Sequence, residues 1–154
     1  MAEYLANDVQ QVNLNEAAIF TASIPCNKGY IYHEDETGNF ILRGITNNCF
    51  ARYQVTFNGN IALPSTGTAG PIAVGLTVNG EVRPTSRAIV TPAAVNQYFN
   101  VTCAAIITVP KGCCFNVALR SITPALSTDD PAAVVTPAPA IVMQNANLII
   151  TRIA

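Results

Sequence analysis

Apolar and polar residues alternate one for one along most of this chain, and no other feature narrows the fold as much. In Ala51-Arg52-Tyr53-Gln54-Val55-Thr56-Phe57, the side chains of Tyr53, Val55 and Phe57 fall on one side and those of Arg52, Gln54 and Thr56 on the other. A period of two belongs to an extended strand, so this run reads as a strand with one buried face. Residues 72–78 repeat the pattern, with Ile72, Val74, Leu76 and Val78 set against Ala73, Gly75 and Thr77. Residues 115–119 do the same with Phe115, Val117 and Leu119. Residues 98–109 are rich in the Tyr, Phe, Val, Ile and Thr that suit a pleated surface. The final run, Leu148-Ile149-Ile150-Thr151-Arg152-Ile153, is apolar on both faces, as a central strand covered on both sides would be.

Turn signals separate the runs: Glu36-Thr37-Gly38-Asn39, Asn58-Gly59-Asn60, Asn79-Gly80 and Pro110-Lys111-Gly112. Asn79-Gly80 is the firmest, because both residues accept the positive φ of a two-residue hairpin loop. No segment keeps a helical spacing, and Ala93-Ala94-Val95 offers one helical turn at most. Many short strands with regular turns predict an all-β, antiparallel two-sheet sandwich. Two segments stand apart. Residues 1–16 are polar and Asn/Gln-rich and read as an N-terminal arm, with Tyr4, Leu5, Val9, Val12 and Leu14 as the side chains that would dock it on a partner. Residues 17–154 then form the domain, in which Pro/Ala-rich residues 124–140 make an extended loop before the last strand.

Charge bears on assembly. Hydrophobic residues make up 50% of the 154-residue chain and charged residues 11%, against about 25% charged in an ordinary soluble domain. A surface so short of charge predicts that neighbouring copies cover part of it. The net charge of −1 comes with no basic cluster, which argues against nucleic acid as a partner. No apolar run is long enough to cross a bilayer, so no membrane partner is expected. Met1-Ala2-Glu3-Tyr4-Leu5 has neither the basic start nor the apolar stretch of a secretion signal. The expectation is synthesis in a cytoplasm, with any exit by lysis or by a route without a cleaved signal.

Few residues offer chemistry. His33-Glu34-Asp35-Glu36 is the one acidic cluster. Loop carboxylates can hold Ca²⁺, but the ligand spacing of a known calcium loop is missing, and the stretch reads as a solvated hairpin tip. His33, the single histidine, has no nucleophile motif to serve, and Gly-x-Ser-x-Gly is absent. No enzyme, cofactor or metal is expected. Five cysteines, Cys26, Cys49, Cys103, Cys113 and Cys114, include no Cys-x-x-Cys. If residues 28–33 and 40–46 form a hairpin, Cys26 folds back toward residues 47–49, so Cys26 and Cys49 are a candidate disulfide pair that a reducing cytoplasm would keep as thiols. Cys113 and Cys114 should point to opposite sheet faces, one of them as a small core residue. That argues against a zinc site built from Cys26, Cys49, Cys113 and Cys114.

Three stretches resemble a known family. Leu76-Thr77-Val78-Asn79-Gly80 resembles the "V-x-N-G" strand and turn of bacterial tumour-necrosis-factor-like and C1q-like jelly rolls. Ile106-Ile107-Thr108-Val109-Pro110-Lys111-Gly112, followed by Val117 and Leu119, resembles their "x-V-x-x-G-D-x-V-x-V" hairpin, with Cys113 where the family often has Asp. Asn147-Leu148-Ile149-Ile150-Thr151-Arg152-Ile153 is similar to their closing strand, "A-x-L-x-I-x-R-L". Such domains cap collagen-like glycoproteins of spore surfaces, and similar modules occur on phage particles. No Gly-x-y repeat precedes the domain here. The whole chain also resembles small proteins of Gram-positive bacteria and their phages, a likeness that carries no function.

The resemblance implies a compact homotrimer without catalytic residues, packed around a three-fold axis. Tyr53, Phe57, Tyr98 and Phe99 are the candidate interface aromatics. The first expectation for function is a structural protein of a phage virion: a capsid decoration, head fibre or tail-tip module. The alternatives are a spore-surface or filament subunit, and a carbohydrate- or receptor-binding module. The expected partners are further copies of the chain, other virion or surface-layer proteins, and a glycan or receptor. The final location is then the virion, or else the spore or cell surface.

Overall fold

The computed structural model describes residues 1–24, 29–124 and 138–154. It is an all-β sandwich of two antiparallel sheets. The first sheet is built on three long strands, β6 (Phe50–Ala62), β10 (Phe99–Pro110) and β12 (Ala140–Arg152). Its remaining strands are β1 (Ala2–Ala6), β2 (Gln10–Asn13) and β3 (Ala22–Ile24). Their order is β10-β6-β12-β1-β3, with β2 also on β12. The second sheet runs β4 (Ile31–His33), β5 (Phe40–Arg43), β11 (Cys114–Ile122), β7 (Ile72–Val78) and β8 (Glu81–Val82), with β9 (Ala88–Val90) also on β7. A single 3₁₀ turn, Pro84–Ser86, is the helical element among the described residues.

The alternation becomes a core where the two inner faces meet. Tyr53, Phe57 and Ile107 from the first sheet close on Phe40, Leu42, Leu76 and Leu119 from the second, all buried. Each such side chain removed from water contributes roughly 1.5–3 kcal/mol. β12 lies between β6 on one side and β1 and β2 on the other, so the last run is central, as its two apolar faces predict. A bulge at Gln144–Asn147, with Asn145 at φ 54°, marks the change of partner from β2 to β1.

Asn79 (φ 51°) and Gly80 (φ 87°) make the expected tight turn from β7 to β8. Pro110–Gly112 is also a turn, closed by Cys113 N–H donating to Pro110 O at 3.0 Å. Yet β10 and β11 lie in different sheets, so this turn carries the chain across the sandwich instead of closing a paired hairpin.

Two sequence expectations are corrected. Asn58-Gly59-Asn60 is not a turn, because β6 runs through it. The glycine is there for space: a Cβ on Gly59 would stand 2.7 Å from Phe57 Cζ. Residues 1–16 are not an arm apart from the domain. β1 pairs with both β12 and β3, and Ala2, Tyr4, Ala6 and Val12 are buried in the core, whereas Leu5 and Leu14 are half-buried and Val9 is exposed. The segment looks polar because two of its three inward β1 residues are alanines, whose contrast with polar neighbours is weak. Of the loop at 124–140, residues 125–137 lie outside the described residues.

Candidate functional site

Among the described residues, no strand or helix covers the outer face of the first sheet along β10, whose outward side chains are exposed. Its cross-strand rows follow from the register. One row reads Ala104, Thr56, Ile149, Glu3 and Ile24. The next reads Thr102, Asn58, Asn147, Leu5 and Ala22, and beyond it come Asn100, Asn60 and Gln144. On the other side lie Ile106, Gln54 and Thr151. The charged side chains of these rows and the next are Glu3 and Arg52. Ile106 is 58% exposed and Ile24 57%, while Ile149 and Leu5 are half-buried between them.

Six polar side chains on this face, Glu3, Asn58, Asn60, Asn100, Thr102 and Asn147, bind one another. Asn58 Nδ2 donates to Asn100 Oδ1 at 3.1 Å and to Thr102 Oγ1 at 3.0 Å. Asn100 Nδ2 donates to Asn58 Oδ1 at 3.2 Å and to Asn60 Oδ1 at 3.1 Å. Asn147 Nδ2 donates to the Glu3 carboxylate. A sheet face whose amides are already paired can be covered with less desolvation penalty than one with free polar groups.

The predicted interface aromatics divide. Tyr53 and Phe57 are fully buried on the inner side of β6 and cannot form a surface between subunits. Sandwich packing claims the bulky side of the alternation first. Tyr53 also ties the two sheets, its hydroxyl donating to Arg43 O at 2.5 Å. Tyr98 is 39% exposed and Phe99 half-buried, where β10 begins.

The cysteines are placed differently from the expectation for the vicinal pair. Cys113 and Cys114 are both exposed, and neither is a core residue. Cys103 takes that role. It is buried, its Sγ lies 3.7 Å from Val74 O, and burial pushes its thiol up to about 12, against the weaker opposing effect of a backbone hydrogen bond from Ala88. Cys49 is exposed at the mouth of β6. Cys26 lies outside the described residues, although the hairpin meant to bring it toward Cys49 is present as β4 paired with β5.

His33 is half-buried rather than a free surface group. Its ring stacks on Phe40 at 4.3 Å and meets Tyr4 edge-on at 4.9 Å. Nδ1 lies 3.1 Å from Asn39 O. The residue fastens β1 to the β4–β5 hairpin. Among the described residues, no group of three or more His, Cys, Asp or Glu gathers as a metal site. Among them too, no helix is long and apolar enough to cross a membrane. A cleft of about 610 Å³ beside the β7–β8 turn offers Glu81 and Arg83, a pair with no nucleophile among its lining residues.

No protein-family model matches the sequence, and no curated protein matches it. Among solved structures, the chain is similar to the globular domain of the zebrafish complement 1qA protein. The two superpose with a TM-score of 0.52 at 13% identity, over 96% of this chain and 94% of that one. The fold is therefore a C1q-like jelly-roll sandwich.

Proposed function

We propose that this chain is a non-enzymatic structural or surface-binding subunit that works as a homotrimer joined through the outer face of the first sheet. The observation that carries this reading is that face itself: five strands wide, with Glu3 and Arg52 as its charged side chains and its Asn58, Asn60 and Asn100 amides hydrogen-bonded to one another. Exposed Ile106 and Ile24 supply apolar anchors. The low charge of the whole chain agrees with a covered surface, and three is the number that the C1q-like resemblance implies. An interface of this kind buries on the order of 2,000 Å² or more, so free monomer should be scarce. Light scattering coupled to size exclusion tests it: the expected mass is three times 16.3 kDa, and a monomer mass at micromolar concentration overturns it.

The setting proposed is a phage virion, in a decoration, fibre or tail-tip role. Support comes from the absence of a recognisable catalytic set among the described residues and from the shortage of surface charge. Mass spectrometry of purified particles from a host that encodes the chain tests this, and its absence from them would favour the spore or cell surface. The Cys26–Cys49 disulfide is proposed alongside, on the strength of the β4–β5 hairpin. Peptide mapping after oxidation should recover the two linked.

A further inference from the structure

β10 is an edge strand, with β6 as its partner in the first sheet. Lys111 N–H donates to Cys49 O at 2.9 Å, one step past the Pro110–Phe50 pair. That bond sets the phase of the ladder. In an antiparallel pair, alternate residues exchange both main-chain bonds with the partner strand, and the residues between them point theirs away. Val109, Ile107 and Ala105 therefore bond to β6, while Thr108, Ile106 and Ala104 turn N–H and C=O out of the sheet edge. Among the described residues, one hydrogen bond meets these outward groups: Arg83 Nη2 donates to Ile106 O at 3.4 Å. A side chain from the second sheet thus stands where the N–H of a further strand would be.

Beside that edge the two sheets part around the cleft of about 610 Å³. Val78, Ile107 and Phe115 give it an apolar floor. Its wall is charged, and the register shows how. Glu81 pairs with Val78, and cross-strand partners share a face. Glu81 therefore points to the inner side of the sheet, as Val78 and the buried Leu76 do. Arg83, two residues on, shares that side. Val82 between them points outward, its Cγ1 3.6 Å from where a Gly75 Cβ would stand. Two opposite charges thus aim at the space between the sheets, where a sandwich otherwise places its core. Among the described residues, the two form no ion pair with each other. Alternate residues of a strand stand about 6.8 Å apart. A second extended chain laid along the β10 edge presents its own side chains toward the cleft at that same interval.

We infer that the β10 edge and this cleft bind an extended peptide segment of a protein partner. The main chain of the segment pairs with Ala104, Ile106 and Thr108, as an added strand. Its inward side chains, two residues apart, set a cation against Glu81 and an anion against Arg83. The site does not rest on the trimer, which uses the outward side chains of β10 and not its main-chain edge.

The test uses the full chain and a fluorescein-labelled peptide, Thr-Val-Lys-Val-Glu-Val-Thr, whose Lys and Glu share one face of a strand. Its isomer Thr-Val-Lys-Glu-Val-Val-Thr puts them on opposite faces. Fluorescence anisotropy should show saturable binding of the first, about tenfold or more tighter than of the isomer, the effect of a charge-assisted bond. Bound peptide should slow hydrogen exchange at the amides of Ala104, Ile106 and Thr108. Glu81→Lys should weaken binding of the first peptide by about tenfold. It should instead favour Thr-Val-Glu-Val-Glu-Val-Thr, a switch that a misfolded variant cannot produce. The absence of saturable binding, equal affinity for the two isomers, or an unchanged preference in Glu81→Lys overturns the inference. So does binding that leaves exchange at the three amides unchanged. Protection of those amides in the peptide-free protein that rises with protein concentration also overturns it, since a second copy would then hold the edge.

Discussion

On the second sheet, β7 turns Ala73, Gly75 and Thr77 outward, and all three are buried beneath side chains such as Ile122, Val82 and Arg87. On the first sheet, β10 turns Asn100, Thr102, Ala104, Ile106 and Thr108 outward, and all five are exposed. Both strands carry small and apolar residues on two faces, which in sequence look like the same demand for an outside cover. In the folded chain the second sheet meets that demand internally. The first, built from strands of 12 and 13 residues, leaves the outward residues of β10 exposed. A two-faced apolar strand therefore points to a partner only after the chain's own cover has been counted.

The most drastic way to break the comparison is to dismantle the first sheet. Deleting residues 1–16 removes β1 and β2 and bares one edge of β12 along its pairings with both. It also takes out Tyr4, whose ring packs on Phe40 at 4.5 Å. The expected loss is about 5 kcal/mol or more, comparable to the whole stability of a small domain, and should appear as a missing cooperative transition in urea. A deleted chain that melts like the parent would return these residues to the status of an arm.

A matched pair of charges sharpens it. Ala104→Arg, on the exposed face of the first sheet, places a cation in the proposed interface of every subunit, and like charges so buried cost several kcal/mol. Ile89→Arg puts the same charge on the second sheet at a residue 37% exposed. The first should shift the scattering mass from trimer to monomer, and the second should leave it unchanged. If both or neither dissociates, the first-sheet face has no special role.

Much of this difference was legible in the residues, and what was not has physical causes. Alternation located β6, β7 and β11, and Asn79-Gly80 located a turn, because these are local properties. Which side of an alternating strand faces in depends on the partner sheet. Tyr53 and Phe57 therefore looked equally suited to an interface and went to the core. Asn58 and Asn60 carried a turn signal, yet their amides are used across the sheet to Asn100 and Thr102, a pairing that spans some forty residues of chain.

Cys103 probes the seam between the sheets. It sits on β10 with its sulfur toward Val74 O on β7, and its thiol is pushed up from an ordinary 9.0 to about 12 by burial. The folded state thus holds its proton more tightly than the unfolded state does. The stability from this group is complete below pH 9 and is lost as pH rises toward 12, at up to about 1.4 kcal/mol per pH unit. Cys103→Val should flatten that part of the alkaline decline relative to wild type in urea titrations at pH 8 and above. Parallel curves for the two proteins would mean that the thiol titrates freely in the fold.

The smallest effect separates a covered face from a bare one. Asn100→Ala removes the donor to Asn58 and Asn60 and the acceptor of Asn58 Nδ2. In a solvated monomer, water replaces those bonds and the loss is about 0.5–1 kcal/mol. Under a neighbouring subunit, the partners are left unpaired away from water, and the cost rises to about 1–3 kcal/mol. An assembly that binds only the folded chain makes stability depend on protein concentration. The deficit of Asn100→Ala, read from urea midpoints, should therefore grow from nanomolar to high micromolar chain. A deficit that is the same at both ends would mean that the amide ladder faces water in every state. The first sheet would then have no partner at this position, and the trimer would have to be built on another surface.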